Sequence, residues 1–120
     1  MKWEDTLNVL IELLKQSSGV KAVRIVSIEG IPIASALPEG VDETKIAAMT
    51  VALLSIAKMS VLEMKKGEFD QLYVKGTDGY LLVMQAGPNA VLTVSTTKDV
   101  RLGLIFLDIK RTCEKIAKLI

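Results

Sequence analysis

The sequence contains no histidine and only one cysteine among its 120 residues. Without histidine, the chain lacks the usual general base of nucleophilic triads and the commonest protein ligand of zinc. The single thiol, Cys113, cannot form a disulfide within the chain, which is typical of proteins from a reducing compartment. These absences argue against the common hydrolase and zinc sites and against a disulfide-stabilised secreted domain.

Other features that specific functions require are also missing. No glycine-rich loop is followed by a Lys-Ser/Thr pair at a helix start, so we expect no phosphate-binding loop. The net charge of +1 lacks the basic excess of a dedicated nucleic-acid-binding protein. The opening "MKWEDTLNVL" has acidic residues where a signal peptide needs an apolar run. We therefore expect a cytoplasmic protein that is not an enzyme and that binds no cofactor, metal ion or nucleic acid.

What is present indicates one globular α+β domain over residues 1–120, since half of the residues are apolar and a quarter are charged. The patterns predict the order helix, two strands, helix, three strands, helix. Short links between successive strands favour a five-stranded, mostly antiparallel sheet. Strands such as "RIVSI" and "YLLVM" are apolar on both faces, so we expect one helix on one face of the sheet and two on the other.

Single residues refine these boundaries. Pro32 cannot donate a ladder hydrogen bond, which indicates an edge position for the second strand. In the break "LPEGVDET", Asp42 is a candidate N-cap for the central helix, which we expect to continue to about Lys66-Gly67. Thr96 and Asp99 have the spacing of a capping box for the last helix. The apolar stripe of that helix includes Cys113, which we interpret as a small core residue.

The central helix, "IAAMTVALLSIAKMSVLEM", is apolar on all sides, with Lys58 as its single charge between Ile46 and Leu62. At helical spacing, one face is the candidate for contact with the sheet: Ile46, Met49, Leu53, Ile56, Ala57 and Met64. The opposite face is small in its first half and bulkier in its second: Ala48, Val51, Ala52, Ser55, Met59 and Leu62. Small residues let two helix backbones approach closely, and methionine adapts to an irregular partner surface.

Three partners could cover this second face. A membrane span is disfavoured because the segment is shorter than about 20 apolar residues and polar residues interrupt it. Another helix of the same chain is disfavoured because each of the other two helices has one apolar stripe and a polar face. In a symmetric dimer, two copies of Val51, Met59 and Leu62 would contribute about 9–18 kcal/mol by burial, against an association cost of about 4–15 kcal/mol. We therefore predict a second subunit.

The third strand, "EFDQLYVK", is the candidate second part of this interface. Its alternating pattern is typical of a strand with one wetter face. At a sheet edge it could pair with its own copy and satisfy an open ladder. It could equally be an ordinary edge strand that Asp70 and Lys75 protect from association.

The chain resembles the Roadblock/dynein light chain domain family over nearly all of its length. The resemblance rests on the hairpin "GVKAVRIVSIEGIPIAS", the long helix of small residues, and "NAVLTVSTTKDVRLGLIFLDIKRTCEKIAKLI". It implies a homodimer or heterodimer and a role beside small Ras-like GTPases. The implied assembly residues are those of the second helix face and of the third strand, namely Ala48, Val51, Ala52, Ser55, Met59, Leu62, Phe69, Leu72, Tyr73 and Val74. The candidate GTPase contacts, expected to be exposed beside the paired helices, are Lys45, Lys58 and Glu63.

Three functions remain open from the sequence. The first is a dimeric binding module that regulates a small Ras-like GTPase. The second is a scaffold subunit that pairs with a different chain of the same kind, in a motor or signalling complex. The third is a small-ligand sensor, because profilin-like and PAS-like domains share this architecture, although Ser27, Thr93 and Ser95 alone are poor material for a polar pocket.

Overall fold

The computed structural model of the protein describes residues 3–37 and 42–120, except for the side chain of Trp3. The element order in this part of the chain is the one that the sequence predicts. The helices and strands are α1 (Trp3–Lys15), β1 (Val20–Ser27), β2 (Pro32–Ala36), α2 (Glu43–Glu63), β3 (Gln71–Lys75), β4 (Gly79–Gln85), β5 (Ala90–Thr97) and α3 (Leu102–Ala117).

The five strands form one sheet in the order β2-β1-β5-β4-β3, and every neighbouring pair is antiparallel. β5 therefore lies at the centre, and β2 and β3 are the two edges. The predicted edge position of Pro32 is confirmed, and the register of the β1–β2 ladder shifts next to it, between Ile25 and Val26. The hairpin turn between these strands places Gly30 at a positive φ of 92°, a conformation that favours glycine.

Helices cover both faces of the sheet, as predicted. α1 and α3 share one face and pack on each other and on the sheet. Their predicted stripes form the main core together with inward-facing strand residues, and the buried helix residues of this core are Leu7, Ile11, Leu14, Ile105, Ile109, Cys113 and Ile116. α2 lies alone on the opposite face, above a much smaller cluster of Leu54, Val83 and Val91.

The helix ends agree only in part with the prediction. Asp42 is the N-cap of α2, and its Oδ1 accepts a hydrogen bond of 3.1 Å from the backbone nitrogen of Lys45. Pro38 to Val41 of the predicted break lie outside the described residues. The C-terminus of α2 comes earlier than predicted, because Met64 is the C-cap and Lys65 follows with a φ of 56°.

The predicted capping box of the last helix is wrong. Thr96 is part of β5, where it lies opposite Tyr80 of β4. Its hydroxyl donates to the backbone oxygen of Thr97 at 3.0 Å instead of capping a helix. α3 begins at Leu102 after Arg101, whose side chain makes no capping hydrogen bond to the described residues. Pairing with β4 holds Thr96 in an extended conformation, and this tertiary contact overrides the local spacing signal.

Candidate protein-binding surface

α2 buries only a narrow side of itself against the sheet. Its buried residues are Ala47, Thr50 and Leu54. Leu54 packs into the small cluster on the sheet, while the Thr50 hydroxyl donates to the backbone oxygen of Ile46 at 2.9 Å. The same hydroxyl oxygen accepts a hydrogen bond of 3.5 Å from Thr93 on β5. A polar pair therefore fixes the first half of the helix on the sheet, and a leucine fixes the second half.

The predicted sheet-contacting face of α2 is wrong for three of its large residues. Met49, Ile56 and Met64 are all exposed, to 50 %, 62 % and 70 % of their surface. The pattern could not orient the helix because apolar residues surround its whole circumference. The actual orientation turns Thr50 inward, where Thr93 offers it a hydrogen-bond partner.

The exposed side of α2 forms a continuous apolar strip, which we name the α2 outer face: Ala48, Met49, Ala52, Ser55, Ile56, Met59 and Leu62. Five of the six residues that the sequence assigns to an interface belong to this strip. Met59 and Leu62 expose 64 % and 70 % of their surface. The sixth, Val51, is half-buried beside the β1–β2 turn, close to Gly30. A strip of this kind on one helix marks a binding surface more often than a free surface.

α2 is longer than the apolar segment from which the sequence argued against a membrane span. Its 21 residues, with a mean hydropathy of 1.7 in the most apolar window, are enough to cross a membrane by those two criteria. Only 17 % of that window is buried in the described structure. The hydrogen bond between Thr50 and Thr93 and the packing of Leu54 nevertheless attach the helix to the sheet of its own domain. The outward side of α2 is therefore the part that the described residues leave uncovered.

β3 supplies an open edge next to this strip. It pairs with β4 on one side, and no described strand lies on its other side. Phe69 and Leu72 pack against the cluster beneath α2, and Val74, two residues further along the strand, projects from the same face. Tyr73 points to the other face, where its ring lies 6.1 Å from that of Phe106 and 6.3 Å from that of Tyr80. β3 begins at Gln71, later than predicted, so Phe69 precedes the strand, and the four predicted residues divide between the two faces of the sheet.

The three candidate charged contacts do not form one cluster. Lys45 and Glu63 are exposed and lie near opposite ends of the outermost line of α2. Lys58 is half-buried, contrary to the expectation of exposure, because helical spacing places it on the same side as Leu54. Among the described residues, no group of three Cys, Asp or Glu side chains is placed to hold a metal ion.

Arg24, which the sequence patterns do not single out, is a buried charge beneath the start of α2. Arg24 lies on β1 opposite Ser35 and Thr93, and it exposes only 2 % of its surface. Burial lowers the pKa of its guanidinium below the ordinary value, and the attraction of Glu43 opposes this shift. A charged residue at the start of "RIVSI" was the available signal, but the apolar character of the rest of the strand obscured it.

Comparison with known proteins identifies the fold and the family. The family model of the Roadblock/LC7 domain matches residues 6–96. The Methanocaldococcus jannaschii protein MJ1340 is 38 % identical over 108 residues, which cover 90 % of this chain and 93 % of that protein. MglB of Myxococcus xanthus superposes with a TM-score of 0.88 at 24 % identity, covering 95 % of this chain and 94 % of that one. An MglB with a tetrameric arrangement gives a TM-score of 0.89 at 17 % identity, covering 98 % and 89 %. The family model and the archaeal relative together show that this chain belongs to the Roadblock/LC7 domain family.

Proposed function

We propose that the protein is a dimeric, non-catalytic binding module of the cytoplasm that engages a small Ras-like GTPase. The observation that carries this proposal is the α2 outer face, an apolar strip on a helix whose other side is already seated on the sheet. Membership of the Roadblock/LC7 family and likeness to MglB with a tetrameric arrangement support self-association.

The apolar surface is large enough to sustain a dimer. Ile56, Met59 and Leu62 each expose more than 60 % of their surface in the single chain. Burial of the remaining two-thirds of these six side chains, three from each copy, would contribute about 6–12 kcal/mol. Association of two proteins costs about 4–15 kcal/mol in lost freedom of motion. The strip therefore offsets most or all of that cost before any strand pairing is considered.

The residue order along the α2 outer face favours an antiparallel helix pair. With a two-fold axis near the middle of the helix, Met49 would face Met59 of the second copy, and Ala52 would face Ile56. Ala52 then accommodates the larger Ile56, which permits close approach of the backbones there, and the two flexible methionines adapt to each other on either side. The same register would bring Lys45 near Glu63 of the second copy at both ends of the pair. Such self-complementarity is the requirement of a two-fold interface.

The open edge of β3 extends the same interface. Phe69 and Leu72 pack on the cluster beneath α2, so the edge and the α2 outer face lie on one side of the molecule. Pairing of β3 with its own copy would satisfy its free backbone groups and join the two sheets. We therefore assign to self-assembly the α2 outer face, Phe69 before β3, and the β3 residues Leu72, Tyr73 and Val74.

A GTPase would dock on the composite surfaces at the two ends of the helix pair. Each end would combine Lys45 of one copy with Glu63 of the other, and neither residue is needed for the sheet contact. A module of this kind changes a GTPase by binding one switch conformation more tightly than another. Any effect on hydrolysis would then arise from ordering of the GTPase's own residues.

Pull-down with purified Ras-like GTPases of the source organism tests this proposal. We expect one of them to bind in a nucleotide-dependent manner when loaded with GDP or with a non-hydrolysable GTP analogue. Lys45→Glu should weaken that binding, whereas Lys110→Glu, a matched change at an exposed lysine of α3, should not. Absence of binding in both nucleotide states, or equal loss in both variants, would contradict the proposed GTPase role.

A further inference from the structure

The guanidinium of Arg24 is buried without the partners that a charge in a protein interior requires. Its Nε and Nη2 atoms are inaccessible to solvent and have no hydrogen-bond partner among the described residues. Loss of hydration without replacement hydrogen bonds strongly destabilises a fold. Glu43 is close enough to attract the charge electrostatically, but it makes no hydrogen bond to these two atoms. The geometry therefore leaves two charge-bearing donors unused.

These donors belong to a residue that lines a half-open cavity between α2 and the sheet. The cavity has a volume of about 220 Å³. Its lining consists of Ala22, Val23, Arg24, Leu37, Ile46, Leu81, Thr93 and Ser95. Five of these eight side chains are aliphatic, and the hydroxyls of Thr93 and Ser95 complement the single charge. The cavity thus combines one cationic group with a predominantly apolar wall, which is the general character of a small-molecule site.

We propose that this cavity binds a small organic acid, with its carboxylate against Arg24 and a short apolar body between Ile46 and Leu81. A carboxylate matches the planar fork of a guanidinium and accepts two parallel hydrogen bonds from it. Because Nε and Nη2 are closed to solvent in this structure, the Arg24 side chain must turn them toward the cavity as the acid enters. The site lies beneath the first turn of α2, whose dipole also favours a negative charge. This inference does not rest on the proposed GTPase role, since none of the lining residues belongs to the α2 outer face.

The size and lining of the cavity restrict the ligand. A volume of about 220 Å³ is below the roughly 300 Å³ at which pockets for drug-sized molecules begin. The aliphatic wall would leave a fully hydrated inorganic anion such as phosphate with few polar partners beyond Arg24. A monocarboxylate with a chain of a few carbon atoms satisfies both conditions. The negative charge of Glu43 nearby opposes binding and keeps the affinity of the natural site moderate.

Titration of the intact protein with hexanoate tests the proposal directly. Hexanamide serves as the neutral analogue of the same shape, and inorganic phosphate serves as the anion without an apolar body. We expect hexanoate to shift the Nε–Hε signal of Arg24 in a saturable manner in nitrogen-15 NMR spectra and to raise the Tm. Hexanamide and phosphate should have little effect at the same concentrations. No saturable response to hexanoate, or an equal response to hexanamide, would overturn the assignment.

Two variants at the site should act in opposite directions. Arg24→Met replaces the charge with an apolar chain of similar length, and it should weaken hexanoate binding roughly 10- to 100-fold, as expected for the loss of charge-assisted hydrogen bonds. Glu43→Gln removes the competing negative charge and should strengthen binding. Arg101→Met, a matched change at an exposed arginine, should leave binding unchanged. If Glu43→Gln weakens binding, or if Arg101→Met weakens it as much as Arg24→Met does, the carboxylate is not held at Arg24.

Discussion

Burial controls the chemistry of Cys113 on the inner side of α3. The residue exposes 5 % of its surface and lies between Ile109 and Ile116 in the main core. Burial raises the pKa of the thiol from 9.0 to about 12, and the charge of Glu114 contributes a smaller increase. Because the thiolate is the reactive form, the thiol is inert near neutral pH. The interpretation of Cys113 as a small core residue agrees with this environment.

The raised pKa of Cys113 predicts a loss of stability in alkaline solution. In the unfolded chain the thiol releases its proton above pH 9.0, whereas in the folded chain it retains the proton up to about pH 12. The folded state therefore binds more protons in this window, and its free energy of unfolding falls by about 1.4 kcal/mol per pH unit from this group. Below pH 9.0 the contribution is fully present.

Urea unfolding of the wild type and of Cys113→Ala between pH 8 and 11 isolates the contribution of this thiol, because all other groups are the same in the two proteins. Cys113→Ala should be less stable at pH 8, by about 1 kcal/mol for the lost sulfur contacts. The difference between the two proteins should then shrink or reverse as the pH rises. A difference that stays constant with pH would contradict the assigned environment of the thiol.

The close approach of β4 to β5 leaves no room for a side chain at Gly79, the first residue of β4. A Cβ atom added to Gly79 would overlap the backbone oxygen of Thr96 on β5. At Gly103, in the first turn of α3, the corresponding position has no described atom within 4 Å apart from the neighbouring residues and backbone of its own helix turn. The two glycines therefore offer a matched pair of sites in which the same substitution meets opposite surroundings.

Alanine at these two positions should change stability in opposite directions. Gly79→Ala should lower the free energy of unfolding by about 1–3 kcal/mol, since the β4–β5 ladder must open to admit the methyl group. Gly103→Ala should raise it by up to about 1 kcal/mol, because alanine favours the helix. Chemical denaturation of both variants checks this. Equal tolerance of both substitutions would mean that the close approach at Gly79 is not present in solution.

The buried face of a helix can be predicted from sequence when the helix has a single apolar stripe. α1 and α3 each have a single apolar stripe, so their buried residues could be read from helical spacing. α2 has no polar side, and its orientation depends on the pairing of Thr50 with Thr93, which are 43 positions apart in the chain. The sequence therefore indicated that α2 needs a partner but not which of its faces lies outward.

The α2 outer face and the cavity at Arg24 likewise differ in how far the sequence predicts them. The assembly surface could be proposed in advance because an excess of apolar residues is visible in composition alone. The cavity at Arg24 could not, because it depends on Ile46, Leu81 and Ser95 meeting the arginine from three other elements. The one sequence signal for this cavity was Arg24 itself, a charged residue within a strand predicted to be buried.

The whole molecule is asymmetric in how its two sheet faces are covered. Two helices and a large core occupy one face, whereas α2 and a cluster of three buried residues occupy the other. The second face therefore gains less stability from its own chain. A second copy that covers the α2 outer face would stabilise this side of the sheet as well as form an interface, so folding and association should be coupled.

This coupling predicts that the thermal stability of the wild type depends on protein concentration. A dimer that dissociates on unfolding has a Tm that rises with concentration, and its mass in solution should be twice 13.0 kDa. Ile56→Glu places a charge at the middle of the α2 outer face, where a second copy would bury it, and burial of an unpaired charge is strongly unfavourable. We therefore expect this variant to have the mass of a single chain and a Tm that does not change with concentration.

Leu13→Glu is the matched control, since Leu13 exposes 59 % of its surface on α1, on the opposite face of the sheet, and Ile56 exposes 62 %. Sedimentation equilibrium and thermal unfolding over a hundredfold range of concentration distinguish the two variants. Leu13→Glu should remain dimeric, because a charge there stays in water. If both variants stay dimeric, the copies meet through another surface. A wild type with the mass of one chain at all concentrations would leave the α2 outer face to a different protein, as expected of a scaffold subunit.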